Sequence, residues 1–225
     1  MGVADRAIVV ALDGPSGSGK SSVSRGAAAR LGLRYLDTGA QYRAMTWWML
    51  QAGVDIADPA AVAAASAKPR VESGTDPADP AICVDGEDVA VAVRSARVTA
   101  SVSAVAAVQP VRDRLITLQR EIIRAALADG IGIVVEGRDI ADVVWPQAQC
   151  KVYLTASAEA RAARRSAELA DVAADTLAAL SRRDAEDAKT TRPLDAAPGA
   201  VLVDATNLTL AQAIDRVVDL AQAGR

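Results

Sequence analysis

The sequence of 225 residues predicts an α/β fold in which a parallel β-sheet is flanked by helices. Apolar runs of strand length alternate with segments of helical character along most of the chain, which implies right-handed crossovers between parallel strands. Polar or glycine-containing sequences directly follow several of those runs, where ligands bind in such sheets. Residues 69–94 interrupt the alternation and predict a small β-rich insert.

The boundaries of the predicted elements follow from local signals. Gly32, Gly53 and Gly130 are helix stop signals, and Pro110 separates two helices. Thr209 and Gln212 have the spacing of a capping box at the start of the last helix. The predicted strands are residues 8–12, 34–37, 131–135, 151–154 and 200–203, and the predicted helices are residues 23–31, 38–52, 60–67, 98–108, 111–128, a segment capped by Ser157, 175–187 and 209–223.

The predicted insert contains a hairpin signal. Asp85-Gly86 lies between apolar runs at residues 81–84 and 89–93, and a D-G pair in this setting is typical of a two-residue turn. Pro, Gly, Asp and Ser cluster in residues 68–80, which predicts a loop before the hairpin. Trp47 and Trp48, on the preceding helix, are expected to be packing residues.

The composition excludes several classes of function. The chain has no His, so histidine general bases and histidine metal sites are excluded. Cys83 and Cys150 lack metal-type spacing, which predicts reduced thiols and a cytoplasmic protein. No apolar run has the length of a membrane span, and the N-terminus lacks a signal-peptide pattern. The net charge of −3 argues against nucleic acid as the main partner.

A phosphate-binding motif follows the first predicted strand. Residues 14–21, GPSGSGKS, match G-x-x-x-x-G-K-[ST] between an apolar strand and a helix, and this pattern predicts a nucleoside triphosphate site. Backbone N–H groups would surround the phosphates, Lys20 would reach the β- and γ-phosphates, and the Ser21 hydroxyl would ligate Mg²⁺. The residues predicted to bind ATP are Gly14, Pro15, Ser16, Gly17, Ser18, Gly19, Lys20, Ser21 and Ser22, with Arg161 and Arg165 as lid candidates.

The chain resembles the bacterial cytidylate kinases in six sequences that occur in the order and spacing of that family. They are GPSGSGKSS, LDTGAQYR, VDGEDV followed by VAVRS, VSAVAAVQPVR, VVEGRDIADVVWP and SRRDAED. The resemblance extends from the first strand to the C-terminal helix. The first sequence is common to many phosphate-binding loops, whereas LDTGAQYR together with VEGRDI is far more specific.

The resemblance implies a role for individual residues around a second nucleotide. A carboxylate accepts a hydrogen bond from the exocyclic amino group of cytosine and repels the carbonyl of uracil, which agrees with the base-reading position that Asp139 matches. The matched positions are Thr38 and Arg43 for the monophosphate, Ser103 and Arg112 for cytosine, Arg138 for phosphate, Asp139 for the base, and Arg183 and Asp187 for phosphate and ribose. Lys20, Arg138 and Arg183 are the predicted catalytic cations.

The sequence departs from the family pattern at the lid. The family has D-S-T-R where this chain has DAKTTR, so either Lys189 or Arg192 supplies the expected cation, and Lys189 lies nearer to its position. The segment between Arg165 and Arg183 is shorter than usual, which predicts a small helical lid. Gln41 replaces an apolar residue of the family pattern, a change that we expect to be tolerated.

The function implied by the resemblance is ATP- and Mg²⁺-dependent phosphorylation of CMP and dCMP in pyrimidine nucleotide metabolism, by a monomer in the cytoplasm without nucleic acid or membrane partners. The fold implied is a P-loop kinase with a five-stranded parallel sheet. Its core is residues 1–37, 111–156 and 188–225, its monophosphate lobe residues 38–110 and its lid residues 157–187. A kinase for another monophosphate, such as UMP, and a non-enzymatic nucleotide-binding switch are the alternatives.

Overall fold

The computed structural model of the chain describes residues 7–169, 181, 184–185 and 196–224. Strands and helices alternate in this part as the sequence predicts, with short strands between the third and fourth helices. The elements are β1 (Val9–Asp13), α1 (Lys20–Leu31), β2 (Arg34–Asp37), α2 (Thr38–Gln51), α3 (Pro59–Ala65), β3 (Val71–Ser73), β4 (Ile82–Val84), β5 (Glu87–Asp88), a 3₁₀ turn (Ala92–Arg94), α4 (Ala96–Ala106), α5 (Gln109–Ala128), β6 (Ile133–Gly137), a π-helical turn (Ile140–Val144), β7 (Cys150–Thr155), α6 (Ala158–Leu169), β8 (Val201–Asp204) and α7 (Leu210–Ala223).

The central sheet of the described residues has five parallel strands in the order β2-β6-β1-β7-β8, which confirms the predicted fold class. Asp13 at the end of β1 lies opposite Gly137 of β6, and Asp37 of β2 lies opposite Glu136. Because the strands run in one direction, these four residues meet at the same edge of the sheet. That edge is where ligands bind in open parallel sheets.

Both faces of the sheet are covered because side chains alternate along β1. Val10 and Leu12 pack in one cluster with apolar residues of α1 and α7, while Val9 and Ala11 pack with residues of α5 on the opposite face. All four side chains are fully buried. The central strand is therefore held rigidly from both sides, and its C-terminal residue is a fixed point for the loop that follows.

A second hydrophobic core joins the insert to the helices. Met45 and Met49 of α2 pack there with buried residues of β4, α3 and α5, and Trp47 and Trp48 pack against its margin. The predicted packing role of the tryptophans is thereby confirmed. In the described residues, both cysteines are free thiols, as predicted, and no helix has the length and hydropathy needed to cross a membrane.

The insert is a three-stranded antiparallel sheet, β3-β4-β5, and it corrects two details of the prediction. The Asp85-Gly86 turn is present, with φ of 52° and 85°, as a two-residue hairpin turn requires. Residues 89–93, however, do not continue as a strand. The Val93 N–H donates to the Val89 carbonyl at 2.9 Å, which turns the chain and buries both valines in the second core. The predicted loop at residues 68–80 also contains the short strand β3.

The loop that joins β3 to β4 also contacts the core. The Tyr35 N–H of β2 donates to the Thr75 carbonyl at 2.9 Å, so the loop pairs with the outer edge of the central sheet. Arg25 of α1 donates to the carbonyls of Pro77 and Ala78 at 2.9 and 3.1 Å. The insert is therefore attached to the core by backbone groups of residues 75–78 as well as by its helices.

The helix boundaries agree with the local signals in the sequence. Gly32 adopts a left-handed conformation and ends α1, although this helix begins at Lys20 and not at residue 23. Pro110 lies in the first turn of α5, where it interrupts no helical hydrogen bond. Thr209 and Gln212 form the predicted capping box at the start of α7.

Candidate active site

The loop between β1 and α1 has the backbone of a phosphate-binding loop. A Cβ atom added to Gly14 would lie 2.0 Å from the Leu154 carbonyl oxygen, so only glycine fits there. Gly19 has φ of 93° and leads directly into the first turn of α1, where free N–H groups can meet an anion. The sequence motif therefore has the structural context that triphosphate binding requires.

Four cationic side chains donate to carbonyl groups of this loop. They come from α1, the end of β6 and α6, so three separate segments support the loop. Two of them, Lys20 and Arg138, also line the cavity beside the loop, where their positive charges could stabilise bound phosphates. The hydrogen bonds join Arg138 to the Gly14 carbonyl at 2.5 Å, Lys20 to Pro15 at 2.6 Å, Arg161 to Ser16 at 3.0 Å and Arg164 to Ser18 at 3.1 Å.

Asp184 contacts the same loop and was not predicted from the sequence. Its Oδ1 accepts a hydrogen bond from the Ser16 N–H at 3.2 Å, and its Oδ2 pairs with Arg161 at 2.5 Å. The carboxylate is buried. Arg161 therefore supports the loop through both a carbonyl and a carboxylate.

Ser21, predicted to bind Mg²⁺, lies beside a buried carboxylate. Its Oγ donates to Glu136 Oε2 at 3.1 Å, while the Tyr35 hydroxyl donates to Glu136 Oε1. Burial, and then the nearby Asp37 carboxylate, raise the pKa of Glu136 above its ordinary value, and the charge of Lys20 opposes this. Hydroxyl and carboxylate oxygens of this kind suit Mg²⁺, which keeps several waters and needs no cluster of protein ligands.

One cavity of about 360 Å³ unites the two halves of the predicted site. This volume is in the range of small-molecule sites. The wall formed by the phosphate-binding loop faces a wall formed by α2, α4, α5 and the end of β6. The predicted site residues that line the cavity are Ser16, Gly17, Gly19, Lys20, Ser21, Ser22, Thr38, Arg43, Ser103, Arg112, Arg138 and Asp139.

Arg112 and Asp139 form an ion pair inside this cavity. The Arg112 guanidinium donates to Asp139 Oδ2, and the two side chains are only 10% and 13% exposed. Arg112 is held on α5, whereas Asp139 belongs to the turn after β6. A planar donor and a carboxylate acceptor are thus presented side by side, which is a suitable arrangement for the polar edge of a base.

Arginines from three segments of the chain line the cavity near the start of α2. Thr38 begins the helix and donates to the Glu136 carbonyl at 2.7 Å. Arg43 lies one turn later, where burial lowers its pKa, Asp37 raises it, and the charges of Arg94 and Arg138 lower it further. Three arginines therefore lie close enough to repel one another, which an anionic group between them would relieve. Arg94 was not predicted from the sequence.

Asp13, at the end of β1 just before the phosphate-binding loop, contacts the turn that follows β6. It was also not predicted from the sequence. Its two carboxylate oxygens accept hydrogen bonds from the backbone N–H groups of Ile140 and Ala141, each at 2.9 Å. Burial raises the pKa of Asp13 to about 6; these two hydrogen bonds and the charge of Lys20 oppose the shift, and the charge of Asp139 adds to it.

The raised pKa of Asp13 predicts a pH-dependent stability. Its ordinary pKa is 3.8, so the stabilisation it contributes is complete below that pH and is lost as the pH rises through about 6. We expect the free energy of unfolding of the wild type to fall between about pH 4.5 and about pH 7 by roughly 2 kcal/mol more than that of Asp13→Asn, which cannot ionise. Urea unfolding of both proteins in metal-free buffer measures this, and parallel pH dependences would contradict it.

Several predicted residues lie elsewhere. Gly14, Pro15 and Ser18 belong to the phosphate-binding loop but do not line the cavity, and Ser18 is buried. Arg161 lies against the carbonyl side of the loop, as described above. The Arg165 side chain and the residues Arg183, Asp187, Lys189 and Arg192 lie outside the part of the chain that the structure describes.

Comparisons with known proteins bear on the fold and the family of this chain. A crystal structure of a Thermus thermophilus protein has a TM-score of 0.51 and 17% identity, covering 97% of this chain and 98% of that one, which supports the fold alone. Curated cytidylate kinases of Streptomyces coelicolor and Streptomyces avermitilis are 58% and 56% identical to the chain, each covering 97% of it and 94% of the relative. The curated cytidylate kinase of Nocardia farcinica is 52% identical to the chain, and the match covers 95% of this chain and 93% of the relative.

A family model described as cytidylate kinase matches residues 10–223. The match extends from the second residue of β1 to the end of α7. The chain therefore belongs to the cytidylate kinase family.

Proposed function

We propose that this chain transfers the γ-phosphoryl group of Mg²⁺-ATP to CMP and dCMP, forming ADP and CDP or dCDP. The observation that carries the proposal is the Arg112–Asp139 pair, which lines the same cavity as Lys20 and Ser21. The phosphate-binding loop accounts for binding of the phosphate donor, and the ion pair accounts for recognition of a base that carries an amino group. ATP would bind along residues 14–22 and the monophosphate between α2, α4 and the end of β6.

The reaction needs little covalent chemistry from the protein. An oxygen of the CMP phosphate attacks the γ-phosphorus in line, and the bond from that phosphorus to the β–γ bridging oxygen breaks. The attacking oxygen is already anionic, so no general base is required, which fits a chain without His. Lys20 and Arg138 stabilise the charge on the transferred group, and Thr38 and Arg43 orient the acceptor phosphate; Arg183 is proposed to join the catalytic cations.

Ser21 would hold Mg²⁺ directly, and Glu136 and Asp37 can bind its waters. The metal ion supplies neutralisation of the charge on the β- and γ-phosphates. The Tyr35 hydroxyl fixes one oxygen of Glu136, so the other oxygen stays directed at Ser21. On the lid side, we propose that Arg165 binds ATP, that Asp187 contacts the ribose, and that Lys189 supplies the cation in place of the family's Arg.

We propose the same division of the chain as the sequence suggests: a core of residues 1–37, 111–156 and 188–225, a monophosphate lobe of residues 38–110 and a lid of residues 157–187. The enzyme would act as a monomer in the cytoplasm, without a nucleic acid partner. Closure of the lobe and lid would exclude water and suppress hydrolysis of ATP.

A coupled assay of ADP release with CMP, dCMP, UMP, AMP and GMP in parallel tests the proposal. We expect kcat/KM to be highest for CMP and dCMP. A preference for UMP, AMP or GMP would assign another acceptor to the cavity. ATP binding without turnover of any monophosphate would instead favour a nucleotide-binding switch.

A further inference from the structure

Asp13 is placed to control the turn that carries Asp139. It is the last residue of the central strand and is 5% exposed. Its Oδ1 accepts from the Ile140 N–H and its Oδ2 from the Ala141 N–H, both at 2.9 Å. These are the two residues directly after Asp139, and because both oxygens are used, the carboxylate has one orientation only.

The backbone of that turn is irregular, so it depends on such contacts. Asp139 has φ of −145° and ψ of 29°, outside the ranges of strands and α-helices, and a single π-helical turn follows it. A Cβ atom on Gly137 would lie 2.7 Å from Thr38 Oγ1 and 2.6 Å from Ile140 Cδ1. The turn is therefore confined on one side by packing and on the other by the Asp13 carboxylate.

Asp13 also precedes Gly14, the first residue of the phosphate-binding loop. Arg138, the residue before Asp139, also links the turn to this loop, since its Nη1 donates to the Gly14 carbonyl at 2.5 Å. We propose that Asp13 is a positioning residue that controls the choice of acceptor base. Through the N–H groups of Ile140 and Ala141, it sets the position of the Asp139 carboxylate relative to the phosphate-binding loop. The inference rests on the proposed reading of cytosine by Asp139.

Asp13→Asn tests this because it keeps the size of the side chain but turns one acceptor into a donor that faces a backbone N–H. We expect the ratio of kcat/KM for CMP to that for UMP to fall about tenfold, the effect of one lost hydrogen bond, while KM for ATP changes less than about twofold. Asp58→Asn is the matched control, since Asp58 accepts from the Ala60 N–H at the start of α3, outside the cavity. For Asp58→Asn, the ratio of kcat/KM for CMP to that for UMP should equal the wild-type ratio.

A purely structural role would lower kcat/KM for both acceptors by the same factor, and an unchanged ratio would overturn the inference. Asp139→Asn, assayed in parallel, separates the two hypotheses: if it leaves the ratio unchanged, the proposed base reading fails, whereas if it alone changes the ratio, only the role of Asp13 fails.

A measurement on the wild type covers the case in which Asp13→Asn does not fold. Amide hydrogen exchange at Ile140 and Ala141 should slow more with saturating CMP than with saturating UMP, because only cytosine would hold Asp139 in place. Equal slowing by both nucleotides would contradict the positioning role.

Discussion

Replacing Lys20 by Met is expected to lower kcat/KM for CMP phosphorylation about a thousandfold and to leave the melting temperature within a few degrees of the wild-type value. The Lys20 ammonium donates to the Pro15 carbonyl at 2.6 Å, and Lys20 lines the cavity. In the proposed mechanism it stabilises charge that develops on the transferred phosphoryl group, so its loss should act on the transition state. Met keeps the length and the apolar part of the side chain.

Lys68→Met is the control for this experiment, because Lys68 is exposed and lies outside the cavity. Steady-state kinetics and thermal unfolding of both variants are required. Retention of more than about a tenth of the wild-type kcat/KM by Lys20→Met would remove this lysine from the mechanism.

Replacing Asp139 by Asn is expected to reduce the preference for CMP over UMP by about ten- to a hundredfold, equivalent to roughly 1–3 kcal/mol of discrimination. The carboxylate can only accept, which suits the amino group of cytosine, whereas an amide can also donate to the carbonyl of uracil. Asn is preferable to Ala here, because its oxygen can still accept from Arg112. Removing the acceptor entirely would leave a largely buried guanidinium without its ion-pair partner.

Asp142→Asn is the matched control, because Asp142 is an exposed carboxylate three residues further along the same turn. Kinetics with both monophosphates at fixed ATP give the ratio. If Asp139→Asn lowers kcat/KM for CMP and UMP equally, Asp139 does not read the base.

Much of the fold could be predicted because it follows from local signals. Apolar runs, Gly32 and Pro110 mark elements that the structure confirms, and the Asp85-Gly86 turn is present where the D-G pair predicts it. Short elements in the insert were less predictable. The strand β3 has three residues, too few for alternation to be recognised, and residues 89–93 form a turn because Val89 and Val93 are both drawn into the second core.

The candidate site was predictable where a motif marks it and not where the chemistry depends on distant contacts. Lys20, Thr38 and Asp139 each lie in a recognisable sequence, and the structure brings them to one cavity. Asp13 acts on backbone groups 127 and 128 residues away, which no local pattern reveals. A signal was nevertheless present, since Asp13 ends the apolar run of β1 and Glu136 ends that of β6.

The contact between the β3–β4 loop and the edge of the central sheet allows detachment of this loop to be measured at a single amide. The Tyr35 amide is protected by a carbonyl of the insert, Thr75, and not by a neighbouring strand of the sheet. Its proton can therefore exchange with solvent when the loop detaches, even while the five strands stay paired. The exchange rate of this single amide would report how often the loop leaves the core, separately from global unfolding.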